Sequence, residues 1–203
     1  AAGTQLALSA TGVASLTDFN GSLYFTGTVP GYSGLMSLNG DRPSRVSRIG
    51  ELRVVNNLLY FQANASGTHA ELWVTNGTSA ATQLLSNYRT AIRDFGGVAV
   101  RGELDGKAFY SSGEGIGFTD GTSQGTTFFP VAAGLLPDAV QLGTRLIYGG
   151  DELMKTAGWN GVGEMVRNIS LSGSSQPQNL FLFGDRILFT ASDGIHGREL
   201  WIT

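Results

Sequence analysis

Glu71-Leu72-Trp73-Val74-Thr75-Asn76-Gly77-Thr78, with Ala81-Thr82-Gln83-Leu84-Leu85 two residues further on, is the stretch that decides the fold. A short apolar run, an Asn-Gly turn and a second short run spell two antiparallel strands. The phrase returns as Glu199-Leu200-Trp201-Ile202-Thr203 and stops half spoken. Ala1-Ala2-Gly3-Thr4-Gln5-Leu6-Ala7-Leu8 reads as its continuation. A repeat that continues from its last residue into its first is a ring, so residues 5–9 are expected to pair with the strand around Leu200 and Trp201.

Working outward, a two-residue turn followed by an apolar triplet recurs five times. Asn20-Gly21 precedes Leu23-Tyr24-Phe25, Asn56-Asn57 precedes Leu59-Tyr60-Phe61, and Asp105-Gly106 precedes Ala108-Phe109-Tyr110. Gly143-Thr144 precedes Leu146-Ile147-Tyr148, and Gly184-Asp185 precedes Ile187-Leu188-Phe189. The central residues 24, 60, 109, 147 and 188 are separated by 36, 49, 38 and 41, and the step across the chain ends is 39. Units of about 40 residues with four short strands each have the period of propeller blades. The expected fold is therefore all-β: a single five-bladed β-propeller over 1–203, closed by pairing of its N-terminal strand with the last blade. Its blades cover approximately 11–50, 51–90, 91–133, 134–175 and 176–203 plus 1–10.

The second unit can be read in full, with strands expected over 51–55, 58–64, 71–75 and 82–86. The third repeats its turn as Asp120-Gly121-Thr122, while the first and fourth keep only Asn39-Gly40 and Asn160-Gly161 there. Blades pack on their neighbours through both faces, so their strands should be apolar on both, as Phe181-Leu182-Phe183 and Ile187-Leu188-Phe189 are. Trp73 and Trp201 are then expected as wedges between blades.

These phrases resemble the bacterial ELWxxDGT repeat: an acidic residue, Leu, Trp, a short gap, Asp-Gly-Thr, then Gly-Thr before an apolar strand. Units two and five match closely, unit three partly, units one and four weakly. Asp193-Gly194-Ile195-His196-Gly197-Arg198 is similar to the loop that precedes the phrase in that family. The resemblance implies a propeller-like protein, secreted or displayed on a bacterial surface, and it transfers no catalytic residue.

Composition agrees with a turn-rich β protein: 14% of residues are charged and 30 of 203 are Gly, against averages of about 25% and 7%. A net charge of −3 with two lysines argues against a nucleic-acid partner, which demands clustered cations. The absence of Cys excludes disulfides and thiolate metal sites. No apolar run approaches the roughly 18 residues of a membrane-spanning helix, so no membrane insertion is expected.

Two readings of chemistry follow. Asn64, Ser66 and His69 ahead of Glu71, and Asp193, His196 and Arg198 ahead of Glu199, set short polar side chains beside apolar strands. That mixture suits a glycan or other cell-surface ligand, as in lectins, and a protein partner is the alternative. The enzymatic alternative is a glycosidase-like pair, Asp18 and Glu103, on inner strands facing a central channel. The expectation is a non-catalytic, extracellular adhesion module without a cofactor. Calcium is the one metal considered, with oxygen ligands offered by Asp193, Glu199 and the Asp120-Gly121-Thr122 turn.

Overall fold

The computed structural model of the chain describes residues 4–46, 48–64, 71–87, 98–112, 115–130, 139–159 and 163–203. These residues form antiparallel strands joined by turns and loops, with no helix among them. The chain divides into two compact units, 1–93 and 94–203.

The first unit holds two sheets. One contains β1 (Thr11–Phe19), β2 (Ser22–Val29) and β3 (Tyr32–Ser37); the next contains β4 (Leu52–Val55), β5 (Leu58–Ala63), β6 (Glu71–Thr75) and β7 (Gln83–Asn87). The second unit holds three. They are β8 (Ala99–Leu104), β9 (Lys107–Ser112), β10 (Gly115–Thr119) and β11 (Thr127–Pro130); β12 (Ala139–Leu142), β13 (Arg145–Gly149), β14 (Leu153–Ala157) and β15 (Glu164–Arg167); and β16 (Gln178–Phe183), β17 (Arg186–Ser192) and β18 (Arg198–Ile202). Every sheet is a meander in chain order, as successive blades of a β-propeller are.

Turn chemistry sets the registers. At Asn20-Gly21 the two φ angles are 52° and 71°, and at Asp105-Gly106 they are 51° and 77°. Both central residues are thus left-handed, the condition for a tight turn whose twist matches its flanking strands. Each turn delivers its apolar triplet into the second strand of a sheet. Leu59, Tyr60 and Phe61 on β5, and Ala108, Phe109 and Tyr110 on β9, are all enclosed.

The cores lie between successive sheets. Phe19, Tyr24 and Leu35 meet Leu52, Leu59 and Phe61 in the first unit. In the second, Leu104, Phe109 and Phe118 meet Leu146 and Tyr148, and Ile147 and Leu153 meet Leu180, Ile187 and Phe189. Trp73 packs on the first of these cores and Trp201 on the last, both half-buried. Trp73 stacks on Phe61, with ring centroids 6.3 Å apart and planes inclined by 16°.

Register also explains why the phrase fades in three of the five units. The third strand places one residue opposite the last member of each triplet: Met36 opposite Phe25, Trp73 opposite Phe61, Gly117 opposite Tyr110, Met154 opposite Tyr148, and Trp201 opposite Phe189. These five positions are equivalent although only two carry Trp. At Gly117 a Cβ would sit 2.2 Å from the Tyr110 ring, because the tyrosine fills the space a larger side chain takes elsewhere.

Two expectations are corrected. Residues 4–10 form no strand and, among the described residues, β18 pairs with β17 alone, so the expected closure by an N-terminal strand over 5–9 is not detected. Leu6 is 81% exposed and Leu200 72%. Similarly, Phe181 and Phe183 are expected between sheets, yet both are exposed on β16 while Leu180 is buried. Leu182 between them is exposed as well, and a register irregularity between Gln178 and Phe181, with Asn179 at a φ of 56°, interrupts the ladder just before them.

Candidate functional site

The Asn-Gly-Thr and Asp-Gly-Thr turns carry the most conspicuous polar residues of the repeat, and their chemistry is directed inward. In one, the Asn76 carboxamide oxygen accepts the Thr78 amide at 3.0 Å and its hydroxyl at 2.8 Å, while Gly77 N–H donates to the Thr75 hydroxyl at 3.0 Å. In the other, Asp120 accepts from the Thr122 amide at 2.9 Å and hydroxyl at 2.7 Å, and Gly121 N–H donates to Thr119 at 3.0 Å. The Thr122 hydroxyl and amide hold the Asp120 carboxyl below the usual carboxylate range. A repeated turn that satisfies its own backbone is a folding device. Both bonds from Thr122 fall on Asp120 Oδ1, while Oδ2 lies 4.0 Å from the Lys107 ammonium.

The loop between β17 and β18 is different. Asp193 Oδ1 accepts the amides of Ile195 and His196 at 2.8 and 2.9 Å, and its Oδ2 lies 2.8 Å from His196 Nδ1. The His196 amide, the His196 ring and the Ile195 amide hold the Asp193 carboxyl down at about 2. In return, the hydrogen bond and charge of Asp193 push the His196 imidazole up from its ordinary value. The carboxylate thus fixes the loop and one face of the imidazole, and the His196 side chain remains 66% exposed.

Glu199 completes the cluster from the start of β18. Ladder pairing sets it opposite Ala191. In blade two the equivalent Glu71 is buried and accepts the Trp73 indole N–H at 3.0 Å. In blade five the Trp201 indole donates instead to the Ala191 carbonyl at 3.2 Å, and Glu199 is exposed. Asp193, His196 and Glu199 each offer one ligand atom, all within 4.8 Å of one another. Arg198 faces another way, donating to the carbonyls of Gln176 at 2.9 Å and Thr190 at 3.2 Å, so it ties the loop down.

The floor of this loop is the segment that follows β15, which the sequence offers no motif to find. Buried Glu152 accepts from the Ile169 amide at 2.9 Å, the Ser170 amide at 3.4 Å and the Ser175 hydroxyl at 2.6 Å. The Ser175 carbonyl then accepts the Ser192 amide at 2.9 Å, one residue before Asp193. Glu152 is the counterpart of Glu71 and Glu199 in blade four, since Leu153 and Met154 occupy the register positions of Leu200 and Trp201. The Glu152-Leu153 dipeptide was the available signal, obscured by Met in place of Trp.

Of the other expected residues, Asn64 is half-buried directly after β5, and Ser66 and His69 lie outside the described residues. Asp18 and Glu103 belong to different units, and each precedes the last residue before a hairpin turn. The Glu103 carboxylate accepts the Gly106 amide of its own turn. Between the first strands β8, β12 and β16 lies an open groove of ≈ 470 Å³, with Arg101, Gln141 and Leu182 among its lining residues. None of its described lining residues is a carboxylate, and Gln141 donates to the Gly143 carbonyl at 3.2 Å. It can hold a small polar ligand but brings no acid–base pair to one. No helix among the described residues is long and apolar enough to cross a membrane.

No protein-family model and no curated protein matches the chain. Among solved structures, it is similar to TolB from Acinetobacter baumannii at 13% identity and a TM-score of 0.47, over 90% of this chain and 46% of that one. It is also similar to an exo-β-1,3-galactanase from Phanerochaete chrysosporium at 10% identity and a TM-score of 0.40, over 92% and 57%. The likeness to a prolyl endopeptidase reaches a TM-score of 0.50 at 12% identity, over 93% of this chain and 35% of that one. The chain thus spans about half or less of the TolB and endopeptidase structures. At this identity the likeness bears on fold alone, and the fold it identifies is of the β-propeller type.

Proposed function

We propose that the five sheets are blades of a five-bladed β-propeller serving as a non-catalytic, extracellular or cell-surface binding and adhesion module, with glycans as its ligand class. The observation that carries this reading is the β17–β18 loop. Its Asp193 hydrogen bonds hold an exposed imidazole next to Ile195, which is 81% exposed, on a backbone already fixed before any ligand arrives. A sugar presents hydroxyls at its edge and C–H groups on its face, and a polar group beside an aliphatic one addresses both. Preorganisation reduces the ordering cost of binding. The resemblance to surface-displayed ELWxxDGT repeats supports the same assignment.

A protein-interaction role is the second reading, favoured by one feature of the last sheet. Phe181, Phe183, Leu200 and Ile202 are all more than half exposed there, and clustered exposed apolar side chains mark association surfaces. The glycosidase reading has less support, because Glu103 caps its own turn and the groove brings no carboxylate.

Glycan-array binding of the wild type, His196→Ala and Asp193→Ala separates the readings. The expected result is retention of a restricted glycan set that both substitutions abolish. Binding that survives both substitutions would refute the loop as the site, and an empty array would refute the glycan assignment.

A further inference from the structure

We propose that Asp193, His196 and Glu199 form a binding site for a borderline divalent transition metal ion, of which zinc is the representative. The three side chains converge from fixed points: Asp193 directly after β17, Glu199 on β18 opposite Ala191, and His196 on the loop between. Their ligand atoms lie within 4.8 Å of one another. Bonds of about 2.0 to 2.2 Å to zinc place neighbouring ligand atoms roughly 3 to 3.5 Å apart. The Asp193 Oδ2 and His196 Nδ1 atoms, at 2.8 Å, are already close to that separation, so the exposed Glu199 side chain makes the larger adjustment.

Donor chemistry selects the metal. An imidazole nitrogen with two carboxylate oxygens suits zinc, manganese or cobalt, whereas calcium takes six to eight oxygens and no imidazole. Calcium with Asp193 and Glu199, considered from sequence, omits the group that stands between them. On binding, the ion replaces the hydrogen bond between Asp193 Oδ2 and His196 Nδ1, and the displaced proton leaves to solvent. Asp193 Oδ1 keeps the Ile195 and His196 amides, which aim the carboxylate as partners beyond the ligand sphere do in metal sites.

A second observation singles out this blade. In blade two the equivalent Glu71 is buried on the Trp73 indole, whereas in blade five the indole bonds to the Ala191 carbonyl and leaves Glu199 facing the loop. The same phrase thus packs its glutamate in one blade and presents it beside a histidine and an aspartate in another. Three protein ligands, Asp193 and His196 from the loop and Glu199 from β18, leave further coordination positions for water or an exchangeable ligand.

The proposal stands apart from the glycan reading, because the probe is zinc alone. Isothermal titration with zinc, and separately with calcium, is made on the full chain and on His196→Ala, Glu199→Gln and His69→Ala. The proposal expects one zinc per chain, weakened at least tenfold by His196→Ala and by Glu199→Gln, unchanged by His69→Ala, and not displaced by calcium. His196 and Glu199 are exposed, and circular dichroism and melting curves identical to the wild type confirm that the variants fold. Absence of zinc binding, binding indifferent to His196→Ala or Glu199→Gln, or loss in His69→Ala would each overturn it.

Discussion

Replacing Glu152 tests how the candidate loop is supported. This carboxylate is 5% exposed and accepts from two buried amides, Ile169 and Ser170, and from the fully buried Ser175 hydroxyl. Glu152→Ala removes all three hydrogen bonds, accepted by its two oxygens, at once. A buried donor without a partner costs about 1 to 3 kcal/mol. The Ser170 contact is long at 3.4 Å, and the Ser175 hydroxyl retains the Asp151 carbonyl at 3.3 Å, so the three losses are unequal. The total is about 3 to 5 kcal/mol, which in a chain of this size lowers the melting temperature by roughly 10 °C. Glu152→Gln keeps one oxygen for Ile169 and Ser175 and turns its amide towards Ser170, so about 1 to 2 kcal/mol is expected.

Urea unfolding followed by circular dichroism measures both variants. The Ser192 amide, which bonds to the Ser175 carbonyl, should exchange with solvent faster in Glu152→Ala than in the wild type. A cost below about 1 kcal/mol for the alanine variant would refute the reasoning. So would an equal cost for both variants, because the argument rests on how many acceptors remain.

Three further outcomes are expected. Trp73→Ala should cost about 3 to 5 kcal/mol by calorimetry, through loss of the Phe61 stack and of the indole hydrogen bond to buried Glu71; a cost under about 1 kcal/mol would show that the ring is dispensable. Deleting residues 1–9 should lower the melting temperature by less than about 2 °C, because residues 4–9 form no ladder and their side chains are exposed; a large drop would reinstate the closing strand. Burial, then the hydrogen bond and charge of Asp41, push the Tyr24 phenol up from 10.0 to about 12. Its contribution to stability is therefore complete below pH 10 and lost as pH rises towards about 12, and absorbance at alkaline pH should show Tyr24 ionising later than the unfolded chain's phenols.

The turn-plus-triplet signal was legible because its cause is local. Asn20, Asn56 and Asp105 adopt the left-handed conformations their residue types tolerate, and the triplets that follow enter strands short enough for two-residue turns to fix their register. The Trp phrase was legible in two units for the same reason and illegible in the others. Nothing in the sequence reveals that Gly117 or Met154 stands in the place of Trp until the ladder aligns them. At the site, Asp193 and His196 could be singled out because they sit three residues apart in one loop. Glu152 was not, because Met154 in place of Trp hides its Glu-Leu phrase and its partners lie 17 to 23 residues away.

By itself, then, the sequence determined the all-β class, the hairpin positions and the identity of the polar loop, all of which follow from contacts within a few residues, whereas the expected four strands per unit are present, among the described residues, only in the three middle sheets. Only the tertiary structure decided which glutamates of the repeated phrase are buried and which are presented. Glu71 is enclosed with its tryptophan, Glu152 is locked beneath the loop, and Glu199 stands free beside His196. The physical reason is the same in each case. A strand's residue types fix which side chains alternate, but the sheet packed against it, or the absence of one, determines which of those side chains are removed from water.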